Sequence, residues 1–150
     1  MADRPRLWSA TEALCWCARD ILRKRQTGYP AAIEARQLTA DAAAVGLRVA
    51  AAIASDWTRA IELSANFPEF TPQPLPEPLD RFAKASPTER VTALAAVTRH
   101  PAVKADPAYA EIVEALLWWE QAAFEGLIAP IGLVNQINAR WHGTSAREAA

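Results

Sequence analysis

The sequence predicts an all-α protein, and three observations favour this class. Apolar residues recur at three- and four-residue spacing in several segments, which is the period of an amphipathic helix. Helix-starting signals precede these segments, and the alternating pattern of half-buried strands is missing from the sequence. The chain has 150 residues, a length that suits one domain. We therefore expect a single domain of five or six helices, in two halves joined by a proline-rich strap.

The first helix is predicted to begin at Ser9. Ser9 and Glu12 have the spacing of a capping box, in which each side chain accepts a hydrogen bond from the backbone N–H of the other residue. Apolar residues follow on one face until about Arg25. Residues 28–30 (GYP) are expected to stop the helix, because glycine and proline disfavour its continuation.

A second helical region is predicted over residues 31–64, which completes a first helical half of residues 9–64. Thr39 is a candidate N-cap inside this region, so the region forms either one helix or two. Many of the 34 alanines of the chain lie here. Small side chains allow neighbouring helices to approach closely, so we expect this region to supply the central helix.

Five prolines between residues 66 and 80 predict an extended strap. Proline fixes the backbone angle φ and has no N–H to donate, which favours a polyproline-like conformation. Such a segment would be a semi-rigid connection between the two helical halves. A short helix over residues 79–85 is expected to follow it.

The second helical half is predicted over residues 86–143. Residues 86–89 (SPTE) combine a capping box with proline at the first helical position, and residues 100–101 (HP) should end that helix. Residues 106–107 (DP) start the next helix by the same chemistry, and it should run to about Gly126.

A last helix is expected from Pro130 to Gly143. Its apolar side would carry Ile131, Val134 and Trp141. The remaining residues, 144–150, should fray because nothing in their sequence favours a regular element.

Charge and cysteine content limit the function classes. Sixteen basic and seventeen acidic residues give a net charge of −1, which excludes the broad basic field typical of nucleic-acid-binding proteins. Cys15 and Cys17 point about 200° apart on a helix, so they should neither bridge nor share a metal ion. These free cysteines indicate a reducing, cytoplasmic compartment. The N-terminal residues do not resemble a secretory signal, and the longest apolar stretch, residues 42–54, is too short to span a membrane.

The residue usage also points to a source. Alanine is in excess, and arginine outnumbers lysine 13 to 3. Both biases are typical of a GC-rich coding sequence, so we expect a bacterial protein.

Enzyme motifs are missing from the sequence. The phosphate loop, the dinucleotide fingerprint and the zinc-protease and serine-hydrolase motifs do not occur. His100 and His142 lie at predicted helix ends, where an imidazolium would help to cap the last carbonyls. Glu111 and Glu114 share a helix face, but the Glu-x-x-His partner of a helical-bundle metal site is missing. We expect no catalytic residue, no cofactor and no metal ion.

Glu120 stands out among the carboxylates because a helical wheel places it near the centre of an apolar face. A buried carboxylate must be paired, hydrogen-bonded or protonated. We expect a salt bridge to an arginine of another helix; a functional polar site and simple exposure are the alternatives.

Six tryptophans are several times the usual number, and two of them do not fit an apolar stripe. Trp57, Trp119 and Trp141 lie on such stripes and should pack in the core. Trp16 and Trp118 lie opposite the apolar faces of their helices. Either they fill secondary contacts within the domain, or they anchor an interface, where aromatic residues are concentrated.

Complementary charges flank these two tryptophans. Arg19 and Arg23 lie beside Trp16, and Glu111 and Glu114 lie beside Trp118. The sequence therefore predicts a non-enzymatic protein that works through protein contacts, as an adaptor, regulator, inhibitor or assembly component. The partner is another protein or a second copy of the chain in a homodimer.

The alternative function is DNA binding or an accessory role in a nucleoprotein. It would use the basic cluster at the end of the first helix: Arg19, Arg23, Lys24 and Arg25. The competing explanation is that cations at a helix C-terminus offset the helix dipole. If nucleic acid binds, we expect phosphate contacts and a strong salt dependence.

Overall fold

The computed structural model describes residues 5–65 and 84–124, and the regular elements in that part are all α-helices. They are α1 (Thr11–Glu34), α2 (Ala40–Ala65), α3 (Pro87–Arg99), α4 (Pro101–Lys104) and α5 (Pro107–Phe124). The all-α prediction is confirmed. The predicted strap, most of the 79–85 helix, the helix from Pro130 and the frayed tail lie outside the described residues.

The four longer helices pack in a ring around one core. α2 lies against α1 and α3, and α5 contacts the same two helices on the other side. The core is mostly aliphatic with two tryptophans, and its most deeply buried residues are Leu14, Cys17, Val49, Ile53, Trp57, Leu94, Val113, Leu116 and Trp119. Burial of this surface is the main force that holds the helices together.

α2 is alanine-rich, but it is a member of the ring and not a central helix. Ala50 and Ala54 are buried, whereas Ala42 and Ala44 are exposed. The prediction of a central helix was therefore wrong. Small residues permit close approach on every face, but the partner helices here cover only part of α2.

The predicted capping box at Ser9 and Glu12 does not form. Ala10 is the N-cap of α1 and makes no side-chain cap hydrogen bond. Residues 5–10 form turns instead: the Trp8 N–H donates to Pro5 O at 3.1 Å, and the Ala10 N–H donates to Leu7 O at 3.1 Å. These turns place Trp8 against Trp119, whose indole N–H donates to Trp8 O at 2.7 Å. A tertiary aromatic contact thus overrides the local capping signal.

The predicted stop at residues 28–30 was also wrong, because α1 continues to Glu34 with Pro30 inside it. A proline in a helix costs a backbone hydrogen bond. Packing on α2 opposes that cost: the Tyr29 ring lies against Gly46, where a Cβ atom would come within 2.6 Å of the Tyr29 hydroxyl. Arg25 Nη1 also donates to Gly46 O at 2.7 Å.

A Schellman motif ends α1. The Gln37 N–H donates to Ala32 O at 2.9 Å, and the Arg36 N–H donates to Ile33 O at 3.0 Å. Arg36 adopts the left-handed conformation with φ of 58°. This position usually holds glycine, because a Cβ atom is unfavourable there.

The remaining helix starts follow their local signals. Thr39 Oγ1 accepts from the Ala42 N–H at 3.1 Å, so α2 is a separate helix and residues 31–34 belong to α1. The capping box between Ser86 and Glu89 is present in both directions. Asp106 Oδ1 accepts from the Tyr109 N–H at 3.2 Å at the start of α5. Caps of this kind depend only on neighbouring residues, which is why the sequence predicted the starts of α3 and α5 correctly and identified Thr39 as the candidate N-cap of a separate helix.

His100 has a different role from the one predicted. Its Nδ1 atom accepts from the Ala102 N–H at 3.2 Å, so the ring caps the N-terminus of the short helix α4. An acceptor nitrogen carries no proton, and an imidazolium that caps the carbonyls of α3 is therefore not the observed arrangement.

The conformation of Arg36 generates a stability prediction. Arg36→Gly should stabilise the protein by about 0.5–1 kcal/mol. Glycine removes the energetic cost of the left-handed backbone, but part of this gain is lost because glycine has more conformational entropy in the unfolded chain. Urea unfolding measures the difference. Arg36→Ala is the matched control: it removes the same charge, keeps a Cβ atom and should give no gain. Equal stabilities of the two variants would contradict the assignment.

The ion pair at the start of α3 generates a pH prediction. Glu89 accepts hydrogen bonds from Arg48 and from the Ser86 N–H, and these lower the pKa of its carboxyl from 4.5 to about 2. Since the folded pKa is the lower one, its contribution to stability is present above pH 4.5 and is lost as the pH falls towards about 2. Glu89→Gln keeps a capping-box acceptor but cannot titrate. Its free energy of unfolding should fall less steeply than that of the wild type over this range.

Candidate interaction surface

Trp16 is the most exposed large apolar side chain of the described residues, with 53% of its surface accessible. α1 presents it on the outer side of the bundle, opposite the buried Leu14, Cys17 and Ile21. Its ring packs against the buried Tyr109 of α5 in a T-shaped contact, with the centroids 6.0 Å apart. Trp16 is therefore held in place by the domain while about half of its surface stays open to solvent.

A recess of about 780 Å³ lies beside Trp16. Its apolar wall includes Leu22 of α1 and Ile61 of α2, and Arg19 and Arg23 line its polar side. We call this region the Trp16 surface; its residues are Glu12, Cys15, Trp16, Arg19, Asp20, Leu22, Arg23, Gln26 and Ile61. An aromatic anchor beside a recess with charged edges is typical of protein-binding surfaces.

Asp20 is buried beneath this surface. It accepts from the Tyr109 hydroxyl at 2.9 Å and pairs with Lys24 at 3.0 Å and with Arg23. Burial by itself would raise the pKa of Asp20, but the hydrogen bonds from Lys24 and Tyr109 outweigh this effect and the pKa is lowered. The carboxylate therefore stays ionised and fixes Tyr109 behind Trp16.

The four basic residues singled out in the sequence are not equivalent. Arg23 and Lys24 pair with Asp20, and Arg25 donates to Gly46 O of α2. Arg19 is exposed and forms no ion pair within the described part of the chain. α1 extends to Glu34, and its last turn contains no basic residue. The explanation that these four cations offset the helix dipole at the C-terminus of α1 was therefore wrong.

Trp118 packs within the domain to a larger extent than Trp16. It is half-buried, and its ring makes T-shaped contacts with Trp8 at 6.5 Å and with Trp119 at 5.2 Å between centroids. Trp57 joins the same cluster through Trp119 at 5.8 Å. The aromatic cluster accounts for the position of Trp118 without an external partner.

The acidic residues beside Trp118 have separate surroundings. Glu111 is half-buried and makes a bidentate ion pair with Arg6, at 2.7 and 2.9 Å, which lowers the pKa of its carboxyl. Glu114 is exposed. Within the described residues, Glu111 thus pairs with Arg6, and neither Arg19 nor Arg23 contributes to this ion pair.

Glu120 is buried and paired with an arginine of another helix, as the sequence predicted. Arg90 of α3 places Nη1 at 3.6 Å from Glu120 Oε1 and at 2.6 Å from Asp56 Oδ2 of α2. Its Nε atom donates to Ala85 O at 3.0 Å. Three helices thus meet at one buried cation, and the role of Glu120 is structural.

The remaining candidates for chemistry are two buried cysteines and a metal site. Cys15 and Cys17 are free thiols. Burial raises the pKa of the Cys17 thiol to about 12, so it is protonated at neutral pH and is a poor nucleophile. Within residues 5–65 and 84–124, His, Cys, Asp and Glu side chains do not form a group of three that could hold a metal ion. His142 lies outside this part of the chain.

Among α1 to α5, as far as they are described, no helix combines the length and apolar character needed to cross a bilayer.

Sequence reasoning missed the partners that give the site its shape. Asp20 and Tyr109 lie 89 positions apart, so their hydrogen bond has no local signal. Asp20 is separated from Arg23 and Lys24 by three and four residues, which is the spacing of ion pairs along a helix. This spacing could have identified the ion pairs of Asp20 from the sequence. Arg59 was not singled out, although it shares a hollow with Arg19.

No family model, no curated protein and no solved structure matches the chain.

The buried cation generates a stability prediction. Arg90→Met should destabilise the protein by about 3–5 kcal/mol, because it removes a partner of two buried carboxylates. Arg99→Met, at an exposed position of the same helix, is the control and should change stability by about 0.5 kcal/mol or less. Urea unfolding measures both. A loss in Arg90→Met no larger than that in Arg99→Met would show that the buried network does not hold the bundle together.

Proposed function

We propose that this protein is a non-enzymatic interaction protein that binds a partner protein through the Trp16 surface. The observation that carries the proposal is the 53% exposure of a tryptophan that the domain itself holds in place. Exposing this much aromatic surface to water is unfavourable, and a partner would recover that cost by burying it. An adaptor, regulator, inhibitor or assembly component would use such a surface.

Charge favours an acidic partner. Arg19 lies between the Trp16 surface and a second hollow of about 410 Å³, which is also lined by Ser55, Thr58 and Arg59. Neither Arg19 nor Arg59 forms an ion pair within the described residues. Unpaired guanidinium groups next to hydroxyl donors complement carboxylates, and such complementarity speeds association and selects partners.

A different protein is a better candidate than a second copy of the chain. Self-association would need the acidic face of α5, where Glu111 is already paired with Arg6 and Trp118 already packs on Trp8 and Trp119. Of the three residues predicted as partner-binding on that face, Glu111 and Trp118 are half-buried and Glu114 is exposed.

Nucleic acid binding is the second candidate, and the pair of free arginines favours it. Arg19 and Arg59 line one hollow and could contact phosphates. However, Arg23 pairs with Asp20, and Lys24 and Arg25 do not line this hollow. Two arginines are few for a phosphate backbone, whereas a protein partner would also bury Trp16, so the acidic protein partner is preferred.

The two free, buried cysteines support a reducing compartment, and we include a bacterial cytoplasm in the proposal.

The proposal predicts a large effect of Trp16→Ala on binding. Affinity capture from the native host with the wild-type chain identifies the partner, and titration calorimetry with the purified partner measures the dissociation constant. Trp16→Ala should weaken binding by about 2 kcal/mol, roughly thirtyfold. Arg19→Glu should weaken it through a slower association rate.

Val45→Ala is the matched control, since Val45 is an exposed apolar residue (45%) of α2 outside the Trp16 surface. It should bind like the wild type. Unchanged binding in Trp16→Ala, or tighter binding in Arg19→Glu, would overturn the proposed surface. Salt-dependent retention of duplex DNA that is lost in Arg19→Glu would favour the second candidate.

A further inference from the structure

A second concave site lies at the end of the bundle where α1 passes α3, α4 and the start of α5. It is a cleft of about 530 Å³, which is within the usual size range of small-molecule sites. Ile21, Val97 and Val103 contribute apolar surface, and Lys24, Arg25 and His100 contribute polar groups. The Trp16 surface does not share any of these six residues.

Each of the three polar residues can offer an N–H donor to the cleft. His100 accepts at Nδ1 from the Ala102 N–H, so its Nε2 atom carries the ring proton and is a donor. Arg25 uses Nη1 for Gly46 O and retains Nε and Nη2. Lys24 pairs with Asp20 through one of its three N–H bonds and lies 4.3 Å from the centroid of the Tyr109 ring.

The charge of the cleft is positive. Asp20 lies next to it and is already balanced by two cations, Arg23 and Lys24. Arg25 forms no ion pair within the described residues, and the lining of the cleft contains no carboxylate. One bound anion would therefore meet uncompensated positive charge without displacing an existing salt bridge.

The walls of the cleft are fixed by tertiary contacts. Tyr29 lies against Gly46, where the lack of a Cβ atom lets the ring approach α2. Tyr109, which also lines the cleft, is held by the hydrogen bond from its hydroxyl to Asp20. A site with fixed walls loses little conformational freedom when a ligand binds.

We propose that this cleft binds a small amphipathic carboxylate, whose apolar body packs on Ile21, Val97 and Val103 and whose carboxylate accepts from Lys24, Arg25 and His100. The apolar surface alone would accept any hydrophobic molecule, and the cations alone would accept any anion. The combination selects a ligand that has both parts.

Decanoate is a suitable probe, and decanol is its uncharged counterpart of equal chain length. Methyl-detected NMR titration of the full chain should show saturable shifts at Ile21, Val97 and Val103 with decanoate. Decanol should bind at least tenfold more weakly, since it lacks the charge that Lys24 and Arg25 recognise.

Two substitutions test the two parts of the cleft. Lys24→Gln keeps a donor for Asp20 but removes the charge, and it should weaken decanoate binding by about tenfold. Ala96→Leu enlarges a side chain that lines the cleft at an exposed position of α3, and it should abolish binding. Lys104→Gln, an exposed cation outside the cleft lining, is the control and should leave binding unchanged.

Three results would overturn the proposal: no saturable shifts with decanoate, equal affinity for decanol, or an equal loss of affinity in Lys24→Gln and Lys104→Gln. Trp16→Ala should bind decanoate like the wild type. The outcome here is therefore independent of whether the Trp16 surface binds a partner protein.

Discussion

The guanidinium of Arg90 lies inside the bundle, where it contacts carboxylates from two other helices. It is 2.6 Å from Asp56 of α2 and 3.6 Å from Glu120 of α5, and it also donates to the backbone just before α3. An apolar core tolerates small shifts between helices, but a buried charge needs oppositely charged partners close to it. Arg90 thus sets the register of three helices, and both candidate sites depend on that register.

Asp20 performs a similar task on the other side of the bundle. Its hydrogen bond from Tyr109 connects α1 to α5, and its ion pairs hold Arg23 on the Trp16 surface and Lys24 at the cleft. The Tyr109 ring contacts Trp16 and also Lys24. The two concave sites are therefore separate surfaces that share one supporting pair, Asp20 and Tyr109.

Local chemistry explains which helix ends the sequence predicted correctly. Thr39, Ser86 and Asp106 cap their helices through atoms only a few residues away, and a sequence contains all the information for such bonds. Ser9 and Pro30 carried equally clear local signals that the structure overrides. At Ser9 the packing of Trp8 on Trp119 decides the backbone, and at Pro30 the packing of α1 on α2 does so.

In the candidate site, too, some features were predicted from local sequence and others arise only from tertiary packing. Helical periodicity placed Trp16 on an outer face and Glu120 on an inner one, and both positions are as predicted. Periodicity also placed Trp118 away from the core. It could not show that Trp8, which precedes α1 in the chain, would pack against the Trp118 ring. The hollow shared by Arg19 and Arg59 depends on how α1 and α2 pack, which no local pattern specifies.

By itself, the sequence determined the all-α class, the starts of α3 and α5, and the need of Glu120 for a buried partner, and it offered Thr39 as one of two alternatives for the start of α2. These follow from spacing and from chemistry within a few residues. Only the tertiary structure decided the end of α1, the identity of Arg90 as the buried cation, the burial of Asp20 and the two concave sites. Each of these depends on residues distant in the chain, and the free energy that selects them comes from packing between helices.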